Sequence, residues 1–215
     1  MNNTLVIIPA KVHSERVLNK NMRHIDGIPL FVHSINYAKQ EGFKHIAVSS
    51  DGEHILKIAK SLGCIPVKEN VNESKLEYCV NQVLAQEKGY RYFALLQPTS
   101  PLREKDKLKS MLARMKNEEL ETLLTCQQIK PVAWLDQYCL FDVQNRPLSQ
   151  QAKSWIYHFD GNILLRNIES YKKEQILIPQ VSGIEVNAFP YYLQIDTIEE
   201  FNQIKMYVEK NTEKR

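Results

Sequence analysis

Through the first 130 residues, apolar runs of strand length alternate with stretches of helical periodicity, and nearly every change falls at a turn residue. "TLVIIPA", Thr4 to Ala10, is a continuous apolar run ended by Pro9, the pattern of a strand buried on both faces. "IPLFVHSINYAKQEG" places Leu30, Ile35 and Ala38 at helical spacing and stops at Gly42, a suitable residue just past a helix end. "HIAVSSD", "CIPVK", "RYFALLQPTSP" and "LETLLTCQQI" read as further strands, separated by helices that include "GEHILKIAKSLG", closed by Gly63. Strand and helix alternating at this spacing require crossover connections. The expected fold is α/β: an open, mostly parallel twisted sheet with helices on both faces.

Past Lys130 the pattern changes. Short aromatic runs, "AWLDQYCLFDV" and "IYHFDGNILLRN", flank the polar "QNRPLSQQAKS" and read as hairpins or a β-rich excursion from the sheet, at about 132–185. The chain returns through "AFPYYLQID" to a last helix, "TIEEFNQIKMYVEK", with Thr197 in its cap region. A length of 215 residues with 43% hydrophobic residues supports one substantial core, so 1–215 is expected to form a single domain.

A net charge of +3, with Lys and Arg interleaved among Asp and Glu, does not make a nucleic-acid surface and suits an anionic small molecule. No apolar run reaches membrane length, and no signal-like segment opens the chain, so a cytoplasmic protein without a membrane partner is expected. Cys64, Cys79, Cys126 and Cys139 lack metal-ligand spacing and read as reduced, packed thiols. The six histidines form no zinc-type pair.

In open parallel sheets ligands bind beyond the carboxyl ends of the strands. The loops expected there are Lys11 to Asn21, Ser49 to Asp51, Gln97 to Arg103 and Gln194 to Asp196. The first is cationic, the third polar, and the second and fourth carry carboxylates, which suits a nucleoside triphosphate with magnesium. The first loop, "IPAKVHSERVLNKN", contains no glycine. Phosphates would have to be met by the side chains of Lys11, Ser14, Arg16, Lys20 and Arg23 rather than by a closely wrapped backbone. Asp51 precedes a helical run and reads as a helix N-cap. Trp134, Tyr138 and Trp155 read as core or interface residues.

"VIIPAKVHSERVLNKNMRHIDGIPLFVHSINYAKQEGFKHIAVSSDGEHI" resembles the opening of the acylneuraminate cytidylyltransferases, the CMP-sialic acid synthetases and their relatives. Their pattern runs I-P-A-R-x-x-S-K, K-N, G-x-P-L and V-S-T-D. "LLQPTSPLR", Leu95 to Arg103, matches a second family block letter for letter; "FDGNILL" and "QIDTIEEF" match two more, in the family's order. The resemblance implies a Rossmann-like nucleotidyltransferase in which the anomeric hydroxyl of a nonulosonic (sialic-type) acid attacks the α-phosphorus of CTP, releasing pyrophosphate, with Mg²⁺ as cofactor. It implies catalytic roles for Lys11, Arg16 and Lys20, and nucleotide contacts from Ala10, Lys11, Ser14, Lys20, Asn21 and Lys68. It places the sugar acid near Gln97, Thr99, Ser100 and Asp160, and the metal at Asp196 and Gln194. It also implies a homodimer built on the excursion.

The chain departs from the family pattern in several places. Lys11 stands for Arg, Glu15 for Lys, Gln194 for the first of two metal aspartates, Gln150 for an Arg that helps to receive the sugar carboxylate, and Asp160 for the Asn of N-G. The nucleotide loop before the third helix is shortened to "NVNESKLE". Two readings follow: a cytidylyltransferase, with its own or a changed sugar or nucleotide, and a catalytically weak relative that binds a nucleotide or a partner.

Overall fold

The computed structural model describes residues 3–12, 16–69, 75–129, 134–135, 137–139 and 156–212. Strand β1 (Thr4–Pro9) opens the chain; the tight hairpin β2 (His24–Ile25) and β3 (Ile28–Pro29) follows, then α1 (Leu30–Gln40). The hairpin turns on Asp26 and Gly27, both at positive φ (52° and 71°), the Asp-Gly geometry that a two-residue turn demands. Next come β4 (Ile46–Ser50), α2 (Glu53–Ser61), β5 (Ile65–Lys68), α3 (Leu76–Gln86), β6 (Tyr92–Leu95), α4 (Lys107–Asn117) and β7 (Thr122–Ile129). A short hairpin, β8 (Trp134–Leu135) with β9 (Tyr138–Cys139), precedes β10 (Ile156–Asn167), α5 (Ile168–Glu174), β11 (Gly183–Asn187) and α6 (Ile198–Thr212).

Seven strands form the main sheet in the order β11-β7-β10-β6-β1-β4-β5. Pairings are parallel except on the two sides of β10, which runs antiparallel to both β6 and β7. β1 is the pivot. Leu5, Val6, Ile7 and Ile8 are each fully buried, and alternate residues serve opposite faces. Val6 and Ile8 pack with Phe31 and Ile35 of α1, Ile55 of α2 and Met111 of α4. Leu5 and Ile7 pack with Val80 and Val83 of α3 and Tyr171 of α5. Each such side chain contributes about 1.5–3 kcal/mol by leaving water, which is why a run without polar residues can sit only at the centre of a two-sided sheet.

Two sequence expectations are corrected. "IYHFDGNILLRN" is not a hairpin excursion: β10 lies in the interior of the main sheet, with Asp160 to Arg166 buried. Its apolar pattern is interrupted because the register shifts between Phe159 and Leu164, with Gly161 at φ 63°, so the polar Asp-Gly-Asn sits in an irregular stretch of a continuous strand. The final return strand is Gly183–Asn187 rather than "AFPYYLQID", whose residues run in a loop from β11 to α6. α6 opens as the sequence indicates: Glu200 N–H donates to Thr197 Oγ1 at 3.2 Å, and Thr197 N–H donates to Glu200 Oε2 at 2.8 Å, a reciprocal cap.

Candidate functional site

The carboxyl ends of β1, β4, β5 and β6 meet on one edge of the sheet, and the loop after β1 is fastened there by its neighbours. Ala10 N–H donates to Ser49 O at 2.8 Å, and Val12 N–H donates to Asp51 Oδ1 at 2.7 Å. Asp51 is therefore a clamp on the β1 loop and not a helix cap; Gly52 holds the cap position of α2, with no side-chain bond. A carboxylate two residues before the first helical turn can serve either task, and the proximity of the parallel β1 loop decides it. Asn21 Nδ2 donates to Lys11 O at 2.7 Å and closes the loop from its far side.

The fourth loop leads from β11 into α6. Ile195 N–H donates to Thr99 O at 2.9 Å, and Lys20 Nζ donates to Ile195 O at 2.9 Å, so Lys20, the Gln97 to Thr99 turn and the Gln194 to Asp196 segment are tied together. Asp196 Oδ1 lies 3.8 Å from Lys20 Nζ and 3.7 Å from Arg16 Nη1. Burial pushes the Lys20 ammonium below the ordinary lysine value, while the Asp196 carboxylate works in the opposite direction. Lys11, Lys20, Asn21, Gln97 and Thr99 line a groove of about 150 Å³, whose opposite wall is Lys75, Leu76 and Cys79 at the start of α3.

Arg103 supports this arrangement from behind. Its guanidinium donates to Gln97 O (2.7 Å), Ser34 Oγ (3.0 Å) and Asn162 O (3.2 Å), and it lies over the Tyr37 ring. Burial lowers its pKa to about 10, so it stays charged at neutral pH. Gly161 stands beneath Gln97 and Gln194: a Cβ there would lie 3.1 Å from Gln194 Nε2 and 3.2 Å from Gln97 Nε2.

Of the residues named from sequence, Ala10, Lys11, Arg16, Lys20, Asn21, Gln97, Thr99, Gln194 and Asp196 come together here. Four do not present their side chains to the groove. Arg23 donates from Nε to Leu18 O at 3.0 Å and lies over the Phe201 ring. Lys68 is exposed and ion-paired with Glu53. Ser100 is fully buried and donates to Asp160 O at 3.2 Å. Asp160 is 1% exposed, and its carboxylate accepts from Thr125 Oγ1 (2.6 Å), Asn162 N–H (3.0 Å) and Asn187 Nδ2 (2.7 Å), which makes it a strut under the site. Ser14, Glu15, Gln150 and Trp155 lie outside the described residues, as does most of the shortened loop. Sequence reasoning missed Glu69, Lys75 and the groove position of Cys79. Glu69 had a signal: it follows inward-facing Val67 by two, so strand alternation carries a carboxylate to the same buried side.

Among the described residues no three His, Cys, Asp or Glu side chains gather in a metal-binding cluster. Asp196 supplies a half-exposed carboxylate, and Gln194 a neutral amide. No helix among the described residues is long and apolar enough to cross a membrane.

The sheet order and the cationic groove at its carboxyl edge define a Rossmann-like nucleotidyltransferase fold. The chain belongs to the cytidylyltransferase family, whose model matches residues 5–214. It is 25% identical to a pseudaminic acid cytidylyltransferase of Campylobacter jejuni over 97% of each chain. It is 24% identical to an N-acylneuraminate cytidylyltransferase of Streptococcus agalactiae over 92% of its own length, and spans 51% of that relative. Among solved structures, a CMP:2-keto-3-deoxy-manno-octonic acid synthetase complexed with CTP superimposes with a TM-score of 0.75 at 15% identity, over 97% of this chain and 99% of that one.

Proposed function

We propose that this chain transfers CMP from CTP to the anomeric hydroxyl of a sialic-like (nonulosonic) sugar acid, releasing pyrophosphate, as a cytoplasmic, homodimeric, Mg²⁺-dependent enzyme. The observation that carries the reading is the convergence of Lys11, Lys20 and Arg16 with Gln97 to Thr99 and Asp196 at the carboxyl edge of the sheet. In the reaction a bond forms between the anomeric oxygen and the α-phosphorus, the bond from the α-phosphorus to the bridging oxygen breaks, pyrophosphate leaves with that oxygen, and the hydroxyl proton passes to solvent. The protein's contribution is positioning and charge neutralisation.

In the free protein Lys20 and Arg16 share the Asp196 carboxylate. A bound triphosphate would offer both cations denser negative charge, and Asp196, no longer shared between them, would be available to hold a metal. Asp196 and the Gln194 amide oxygen would be the protein groups that hold Mg²⁺, with phosphate and water oxygens supplying its remaining ligands. When bound, the metal would supply further neutralisation of the phosphate oxygens. Gln97, whose backbone oxygen accepts from Arg103, would orient the sugar acid. The exposed Tyr138 and Tyr157 lie in or beside the segment assigned to dimer contact.

The second reading, a weak relative, is favoured by one observation: the Lys11 charge faces a carboxylate, Glu69, inside the site. Thermal unfolding with CTP and Mg²⁺ tests nucleotide binding. At a hundredfold excess over Kd a native-state ligand stabilises by about 2.7 kcal/mol, a Tm rise of about 5–10 °C for a chain of this size. Lys20→Ala should remove most of that rise. No shift with CTP at millimolar concentration, beside a shift with another nucleotide, would refute the base assignment.

A further inference from the structure

Glu69 is a buried ionisable group beside the groove that the proposed reaction leaves without a task. It follows β5, its side chain has no solvent exposure, and its Oε1 accepts from the fully buried Ser49 Oγ at 2.9 Å. Its Oε2 has no hydrogen-bond partner of good geometry and lies 3.3 Å from Lys11 Nζ. The Cys79 thiol, on the groove wall, interacts with both Ser49 and Glu69. A carboxylate removed from water needs a counter-charge, and among the described residues Lys11 is the cation within ion-pair distance. Lys11 itself is one quarter exposed and lines the groove. Its ammonium therefore stands between a buried negative charge and the space assigned to the triphosphate.

We infer that Lys11 and Glu69 act as one neutral unit, in which Glu69 is the positioning residue for Lys11 and the main task of Lys11 is to keep the Glu69 charge from repelling the triphosphate. The net attraction of the groove for phosphate then comes from Lys20 and Arg16. Two consequences separate this from a Lys11 that binds phosphate directly. Removing Lys11 alone uncovers a buried carboxylate beside the phosphates, so the loss should exceed that of one cation. Removing both charges should restore what the single change takes away.

The inference rests on the groove being a triphosphate site, and the test uses two probes, CTP and inorganic tripolyphosphate, each with Mg²⁺ and titrated calorimetrically into the parent, Lys11→Met, Glu69→Gln and the double variant. Lys11→Met should weaken both probes by about tenfold or more, and Glu69→Gln, which keeps an acceptor for Ser49, should tighten them by roughly threefold. The double variant should return to within about threefold of the parent. A double variant as weak as Lys11→Met would overturn the inference and make Lys11 a direct ligand; so would a Lys11→Met variant that binds like the parent. If Lys11→Met does not fold, the same compensation is read in thermal unfolding: the double variant should fold, and one no more stable than Lys11→Met refutes the unit. A parent that binds tripolyphosphate and not CTP sinks the cytidylyl reading and leaves this inference standing; a parent that binds neither sinks both.

Discussion

Replacing Asp160 by alanine separates a strut from a sugar ligand. The carboxylate accepts three hydrogen bonds within a buried pocket of β7, β10 and β11. The Thr125 hydroxyl keeps a second acceptor, Ile163 O at 3.3 Å, so two donors are stranded by the change: Asn162 N–H and the Asn187 amide. A stranded buried donor costs about 1–3 kcal/mol, and removing the desolvated charge recovers part of the sum, which leaves a loss of about 3 kcal/mol. For a chain of this size that lowers Tm by about 6–12 °C. Asp160→Asn keeps an oxygen for Asn162 N–H, and the Asn187 amide can turn its oxygen toward the new NH₂, so about 1 kcal/mol is expected. Urea unfolding gives both stabilities, and steady-state kinetics gives the KM for the sugar acid, which should stay within about twofold of the parent for Asp160→Asn. An Asp160→Asn variant of unchanged stability whose sugar KM rises about tenfold or more would refute the strut and return Asp160 to the sugar site.

Gly161→Ala forces a left-handed backbone on alanine, at about 1–2 kcal/mol, and presses its Cβ against the Gln97 and Gln194 amides; the sugar KM should rise severalfold with CTP affinity nearly unchanged, and the reverse pattern would misplace Gln97. The Lys20 pKa is lowered on folding, so between its folded value and the ordinary lysine value near 10.4 the unfolded chain binds more protons. Stability of the parent relative to Lys20→Met should therefore rise with pH through that alkaline window, as read by urea unfolding at a series of pH values, and a flat difference would contradict the buried position of Lys20.

The core was legible from sequence because burial on both faces writes itself as an unbroken apolar run, as in Leu5 to Ile8, and because Gly42, Gly63 and the Thr197 cap mark helix ends by local chemistry. β10 was not, since its irregular stretch places Asp160, Gly161 and Asn162 inside a strand, and polar residues there mimic a turn. The clustering of Lys11, Lys20 and Asp196 followed from the rule that loops at strand carboxyl ends converge. Which residues face the groove did not follow from that rule. Asp160 and Ser100 share the family's blocks yet turn inward, and Glu69 turns inward toward Lys11, because side-chain direction depends on strand register and on partners far away in the chain. Asp51 shows the same limit: its partner, Val12 N–H, is 39 residues away.

Pyrophosphate release tests the central claim most directly, measured on the parent and on Asp196→Asn with CTP, Mg²⁺ and a panel of nonulosonic acids. Release from the parent should require both CTP and an acid sugar, and Asp196→Asn should lower it by about a hundredfold or more with the fold intact, because the carboxylate proposed to hold the metal would be lost. A parent that turns over at an unchanged rate after Asp196→Asn, or that releases no pyrophosphate with any acid sugar while binding CTP, would contradict it.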